Sequence, residues 1–132
     1  MADWDDVRRI LAALPETREE QRKSGELSWR VKDKSLAWER PLRPSDRAAL
    51  GDAAPEGHIL GIRVPDLGAK EAILRDNDGA IFTIPHFDNY AAVLVHMDTV
   101  DPGELEELLV EAWLCRAPTK LAKAYLADAA DS

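Results

Sequence analysis

The stretch IFTIPHFDNYAAVLVHM, residues 81–97, decides how the chain folds. Both ends are apolar runs of strand character, while the middle packs Pro85, His86, Phe87, Asp88, Asn89 and Tyr90 into six consecutive positions. Pro85 ends the first run because it has no N–H for a sheet ladder. Asp88 and Asn89 supply a turn, and Asn tolerates the left-handed conformation that a turn needs. Phe87 and Tyr90 can then fold back onto the sheet, and His86 is expected to hydrogen-bond loop backbone or a neighbouring side chain, as a mainly structural residue.

Working outward, DPGELEELLVEAWLCRA (residues 101–117) reads as a helix with Asp101 as N-cap, Pro102 at the first helical position and Glu104 to close a capping box. Its core stripe is Leu105, Leu108, Leu109, Ala112 and Trp113, with Glu106, Glu107 and Glu111 outside. A last helix starts after Pro118. Upstream, HILGIRV (58–64) is a strand, and DLGAKEAILRDN (66–77) is a short helix capped by Asp66 and ended by a turn at 77–79. At the N-terminus, Trp4, Val7, Ile10, Leu11 and Leu14 share one helical stripe behind Asp3.

LSWRVKDKSLAWERP (27–41) alternates on both sides of a tight turn. With Asp33 and Lys34 at its centre, Trp29 lies opposite Trp38 and Val31 opposite Leu36. One face is then apolar, and Ser28, Arg30, Lys32, Ser35, Ala37 and Glu39 form a wet, mostly cationic face. Residues 41–57, with three Pro and two Gly, read as the most flexible segment, a loop with one helical turn from Ser45. The class is α+β, an antiparallel sheet backed by N- and C-terminal helices. At 132 residues and 45% apolar composition the chain suits a single domain with its core at about 3–127.

Net charge is −8, which argues against strong binding to a polyanion. The distribution is uneven: residues 23–63 hold eight basic and six acidic side chains, residues 64–132 five and thirteen. A local cationic patch on an acidic protein and an ordinary solvated surface both fit this excess. One cysteine, Cys115, cannot close an internal disulfide. With no basic-then-apolar leader and no long apolar run, the expectation is a cytoplasmic protein away from membranes.

The segment FTIPHFDNYAAVLV (82–95) resembles the signature F-x-T-x-P-H-Y-x-G-Y-P-A-V-L-V of the MmcQ/YjbR family, which leads into an acidic helix ending W...R-A-P. Here that helix ends AWLCRAPTKL (112–121). The amphipathic first helix, the WRVKDKSLAW hairpin and LGIRVPDLGAKEAIL follow the family's order, so the resemblance spans roughly residues 4–121. Phe87, Asn89 and Ala91 stand where Tyr, Gly and Pro are usual. The resemblance implies a CyaY-like fold, similar to frataxin, in a double-wing arrangement that binds double-stranded DNA. It carries the family's hairpin Arg onto Arg30, its turn Lys onto Lys34, its loop His onto His86 and its helix-end basic residues onto Arg116 and Lys120. Lys32, Arg40 and Arg43 add charge to the same surface, for contact that is weak and salt-sensitive.

Catalysis has no support in the sequence. Three histidines and Cys115 lack metal-ligand spacing. There is no G-x-S-x-G, Gly-rich phosphate loop or paired-carboxylate motif. Cys115 is expected to be buried and inert, and no cofactor or metal is expected. The rival reading is a frataxin-like module whose acidic helix meets a protein partner or iron. A third places a ligand in the loop of His86, Phe87 and Tyr90. Trp29 and Trp38 could offer stacking platforms, but rings at facing strand positions more often belong to the core.

Overall fold

The computed structural model describes residues 2–76 and 79–131. Strands β1 (Thr17–Gln21), β2 (Leu27–Val31), β3 (Lys34–Glu39), β4 (Ile59–Arg63), β5 (Ile81–Phe82) and β6 (Ala92–His96) form one sheet in the order β1-β2-β3-β4-β6-β5. Every neighbouring pair is antiparallel. The helices are α1 (Trp4–Ala12), α2 (Pro44–Leu50), α3 (Leu67–Asp76), α4 (Pro102–Arg116) and α5 (Thr119–Asp131). This is the expected α+β class. No helix among the described residues is long and apolar enough to cross a membrane.

The helices begin where side-chain acceptors meet otherwise unpaired N–H groups. The Asp3 carboxylate accepts from the Asp6 N–H, and Asp6 returns the bond to the Asp3 N–H. Asp66 accepts from the Ala69 N–H at 2.7 Å, and Asp101 from the Glu104 N–H at 3.2 Å. Val7, Ile10 and Leu11 of α1 and Leu105, Leu109, Ala112 and Trp113 of α4 are buried, as their spacing predicts. Together they cover the sheet face carrying Trp29, Val31, Leu60, Ile62, Val93 and Val95.

The first hairpin departs from its expected register. Its turn is centred on Lys32 and Asp33, with Lys32 at φ 56°. Val31 pairs with Lys34 and Arg30 with Ser35, but Trp29 pairs with Ala37 and Ser28 with Trp38. Leu36 is thus an extra residue on β3, a bulge that lets both Leu36 and Ala37 reach the main core. Beyond it the alternation is reversed, so Trp29 and Trp38 lie on opposite faces. Both are buried, which places both rings in cores rather than on a stacking surface.

The sheet therefore has no wet face along its centre. Trp38, Ile59, Phe82, Ala92 and Leu94 make a second core, closed by Leu42, Leu50, Ile84 and Phe87. The cover comes from residues 41–57, expected to be the flexible loop. Instead α2 and a 3-10 turn at Gly51–Ala53 lie over the sheet, held by Asp46 and Arg40, both buried. Gly61 of β4 makes room for this layer: a Cβ there would stand 2.7 Å from Cε2 of Trp38.

β1 was not anticipated. TREEQ has no apolar alternation, and its ladder with β2 pairs Arg18 with Arg30 and Glu20 with Ser28. A charged edge strand of this kind resists further strand addition. The expected turn at 77–79 includes Asn77 and Asp78, which lie outside the described residues.

Candidate nucleic-acid interface

β1 decides what the hairpin's cations can do. Arg30 keeps its side chain off the main core, but its Nε meets Glu20 at 3.1 Å, and its Nη1 donates to the Asp33 carbonyl at 3.1 Å. Glu20 also meets Arg18 at 3.1 Å. Lys32 faces Glu16 at 3.8 Å. Arg30 is half-buried and Lys32 exposed, and both are already matched by carboxylates from a strand that sequence reading missed and the turn before it. Glu19 serves packing instead, accepting from Trp29 Nε1 at 3.0 Å and Arg8 Nε at 2.8 Å.

Arg40 does not belong to any surface patch. It is 7% exposed, paired to Asp46 at 3.1 Å, and its guanidinium carbon lies 5.7 Å from the centroid of the Phe87 ring. Its place is at the base of the α2 cover, because a planar cation can stack on a ring while its edge donates to a carboxylate. Arg43, at the N-cap of α2, is exposed and makes no ion pair among the described residues.

Lys34, Arg116 and Arg63, the last absent from the sequence expectation, are brought to one cationic edge, and Lys120 follows Arg116 closely in the chain. Arg116 at the end of α4 donates from Nε to the Ser35 carbonyl at 3.0 Å, beside exposed Lys34. Lys120 lies four residues beyond Arg116, exposed in the first turn of α5. Arg63 ends β4, donates to the Ala91 carbonyl at 3.2 Å and lies 4.9 Å from the centroid of the half-exposed Tyr90 ring. None of these four cations makes an ion pair among the described residues. Arg116 and Arg63 both lie close enough to Cys115 to favour its thiolate, yet burial of the sulfur dominates and pushes the thiol up. Cys115 is exposed as a residue rather than buried, but its Sγ is turned back onto the Ala112 carbonyl at 3.2 Å. The raised thiol is the opposite of an activated nucleophile.

The signature loop is built differently from its expectation. Residues 85–87 form a 3-10 turn, Asn89 takes φ 64°, and Phe87 is buried against Trp38 and edge-on to Tyr90 at 5.3 Å. His86 is exposed, and its ring makes no hydrogen bond among the described residues, so it is not the loop's anchor. That role falls to Lys70 of α3, 7% exposed, whose Nζ donates to the Phe87 carbonyl at 2.6 Å and the Tyr90 carbonyl at 2.8 Å. A lysine in a polar helix sequence carries no signal of burial. Only the loop's return across α3 reveals it.

Burial holds the Lys70 amine below its ordinary value of 10.5, partly opposed by Asp88. The unfolded chain then binds this proton more tightly, so stability rises with pH through the window between the lowered value and 10.5. A neutral amine keeps two hydrogens, enough for both carbonyls. Replacing Lys70 by Met should cost about 1–3 kcal/mol by leaving two carbonyls unmet. It should also remove this alkaline gain, measured as the wild-type-minus-variant difference in urea unfolding at pH 8 and pH 10. An unchanged difference and an unchanged midpoint would show that the loop holds itself.

The remaining titratable groups are dispersed. His58 packs against Trp4 with ring centroids 5.1 Å apart, and His96 approaches the Glu56 carbonyl. Among the described residues no group of three or more His, Cys, Asp or Glu is placed to hold a metal ion.

Comparison with known proteins agrees with this architecture. The uncharacterised proteins Mb2600 of Mycobacterium bovis and Rv2570 of Mycobacterium tuberculosis are each 51% identical over 131 residues, covering 97% of this chain and 98% of theirs. The crystal structure of Deinococcus radiodurans protein DR2400, with a DUF419 domain, superposes with a TM-score of 0.62. It is 22% identical and covers 86% of this chain and 78% of that one, a likeness of fold. The sequence profile of YjbR matches residues 12–115, across both hairpins and α4, and the chain belongs to the YjbR family.

Proposed function

We propose that this protein is a non-catalytic domain that contacts duplex DNA weakly through phosphates, in the double-wing manner its family resemblance implies. Its contact surface is the edge formed by Lys34, Arg63, Arg116 and Lys120, with the Tyr90 ring alongside. The observation that carries the reading is the partition of cations: Arg30 and Lys32 are matched by Glu20 and Glu16, whereas these four have no carboxylate partner among the described residues. An unmatched cation gains most from a phosphate, since no existing pair has to be broken. Arg30 and Lys32 flank this edge and add little, and Arg40 takes no part.

Four phosphate contacts give a slope of log K against log salt between about −3 and −4, with micromolar or weaker binding at physiological salt. An acidic protein repels phosphate elsewhere, so loss of the edge should be decisive. The double variant Lys34→Glu, Lys120→Glu should weaken binding at low salt by at least about tenfold and flatten the slope by about two. Arg30→Glu with Lys32→Glu should weaken it less. Fluorescence anisotropy with a labelled duplex at low ionic strength decides the matter. No binding by the wild type, or equal binding by wild type and the Lys34, Lys120 variant, would remove the assignment.

A further inference from the structure

On the main-core side of the molecule, between α3 and α4, lies an open groove of about 340 Å³. Its floor is apolar, made by Val64, Ala69, Ala72, Ile73, Ile81 and Leu108. Its rim is acidic. Asp76 closes it from α3, and Glu104, Glu107 and Glu111 line it from α4 at three- and four-residue steps. Asp76, Glu107 and Glu111 make no ion pair among the described residues, and the exposed Arg75 of α3 is turned to Glu71 at 3.4 Å. Carboxylates crowded in this way beside apolar surface repel one another.

We propose that this groove docks an amphipathic helix of a partner protein, with an apolar stripe flanked by Lys or Arg. The argument is complementarity in both chemistry and spacing. Glu107 and Glu111 stand about one turn apart along α4, the step at which a partner helix presents cations at i and i+4, with Asp76 on the facing helix. Two helical walls accept a third helix by ridges into grooves, and the volume takes the apolar side chains of one or two turns. This groove adjoins the cationic edge, with Val64 next to Arg63 and Glu111 near Cys115, but its apolar floor takes no part in phosphate contact, so peptide binding can fail without DNA binding failing.

The probe is a labelled helical peptide of about 15 residues, with Leu at i, i+3 and i+7 flanked by Lys on an Ala background, titrated by anisotropy. A scrambled peptide of the same composition and one with Glu in place of Lys are the controls. The expected result is saturable, salt-sensitive binding by the patterned peptide. It should be weakened about tenfold or more by Glu107→Lys with Glu111→Lys, and also by Ala72→Trp, which fills the floor without changing charge. Circular dichroism and a retained cooperative urea transition report that each variant keeps its fold. Three results overturn the proposal: no binding by the patterned peptide, equal binding of the scrambled one, or indifference to Ala72→Trp. A concentration-dependent dimer of the protein alone, lost in Ala72→Trp on sedimentation, would assign the groove to a second copy and overturn the partner helix.

Discussion

Replacing Asp46 by Ala is expected to destabilise the protein by about 3–5 kcal/mol, the cost of leaving a buried charge without its partner. Asp46 is 4% exposed, and its Oδ2 accepts both from Arg40 Nη1 at 3.1 Å and from the Arg43 N–H at the start of α2 at 2.9 Å. Arg40 has little in reserve. Its other donor contacts include the Pro41 carbonyl at 2.6 Å, while Nη2 is buried with no hydrogen-bond partner among the described residues. Loss of the carboxylate would leave a guanidinium stranded beside Phe87, and relief comes only by lifting residues 41–57 off the sheet. That motion exposes Trp38, Ile59 and Leu94, so a rise in protease sensitivity at 41–57 should accompany the shift in urea midpoint. Combining Asp46→Ala with Arg40→Leu should recover much of the loss, since an apolar replacement removes the stranded charge. A loss below about 1 kcal/mol in the single variant would mean that solvent reaches Arg40 and that the pair does not hold the cover.

Trp113→Ala should be equally severe, at about 3–5 kcal/mol. Trp113 is fully buried between the sheet and α5, with its ring centroid 5.0 Å from that of Tyr125. Its Nε1 donates to the Pro15 carbonyl at 2.9 Å, tying α4 to the end of the α1 turn ninety-eight residues earlier in the chain. Removal opens a cavity that neighbouring side chains cannot close, because α1, α4 and α5 all lean on the same ring. Trp113→Phe separates the contributions. It keeps most of the apolar area and loses the donor, so about 1–3 kcal/mol is expected from the unmet carbonyl and the smaller ring. Denaturant unfolding of both variants, with amide exchange of α5, provides the measurement. If Trp113→Ala and Trp113→Phe cost the same, the hydrogen bond rather than the packing holds this corner.

Much of the molecule was legible before any coordinates. Asp3, Asp66 and Asp101 marked three helix starts because an N-cap is a local event, completed within three residues of the acceptor. The stripe from Leu105 to Trp113 was legible because helical geometry repeats every few residues and needs no partner to be recognised. Asn89 at positive φ followed from residue chemistry alone. The signature around residues 82–95 and 112–121 carried the family, and with it the α+β class.

What escaped the sequence depends on contacts between distant residues. Alternation in β2 and β3 specified two strands, but one extra residue at Leu36 set Trp38 on the face opposite Trp29, since a one-residue shift reverses every side chain beyond it. Burial of that second face also needed residues 41–57, whose Pro-rich composition looked like a loose loop and whose order rests on Arg40 and Asp46 meeting in the interior. β1 has no apolar pattern, so nothing local announced it. Yet its Glu20, with Glu16 in the turn before it, decides that Arg30 and Lys32 are matched, which leaves Lys34, Arg63, Arg116 and Lys120 as the unmatched cations. Lys70 in its buried seat and the groove between α3 and α4 likewise exist only once the chain has returned on itself. Sequence by itself determined most of the elements and their family, because propensity, capping and periodicity act over a few residues. The tertiary structure alone decided which charges are free, because a charge is neutralised by whatever stands near it in space.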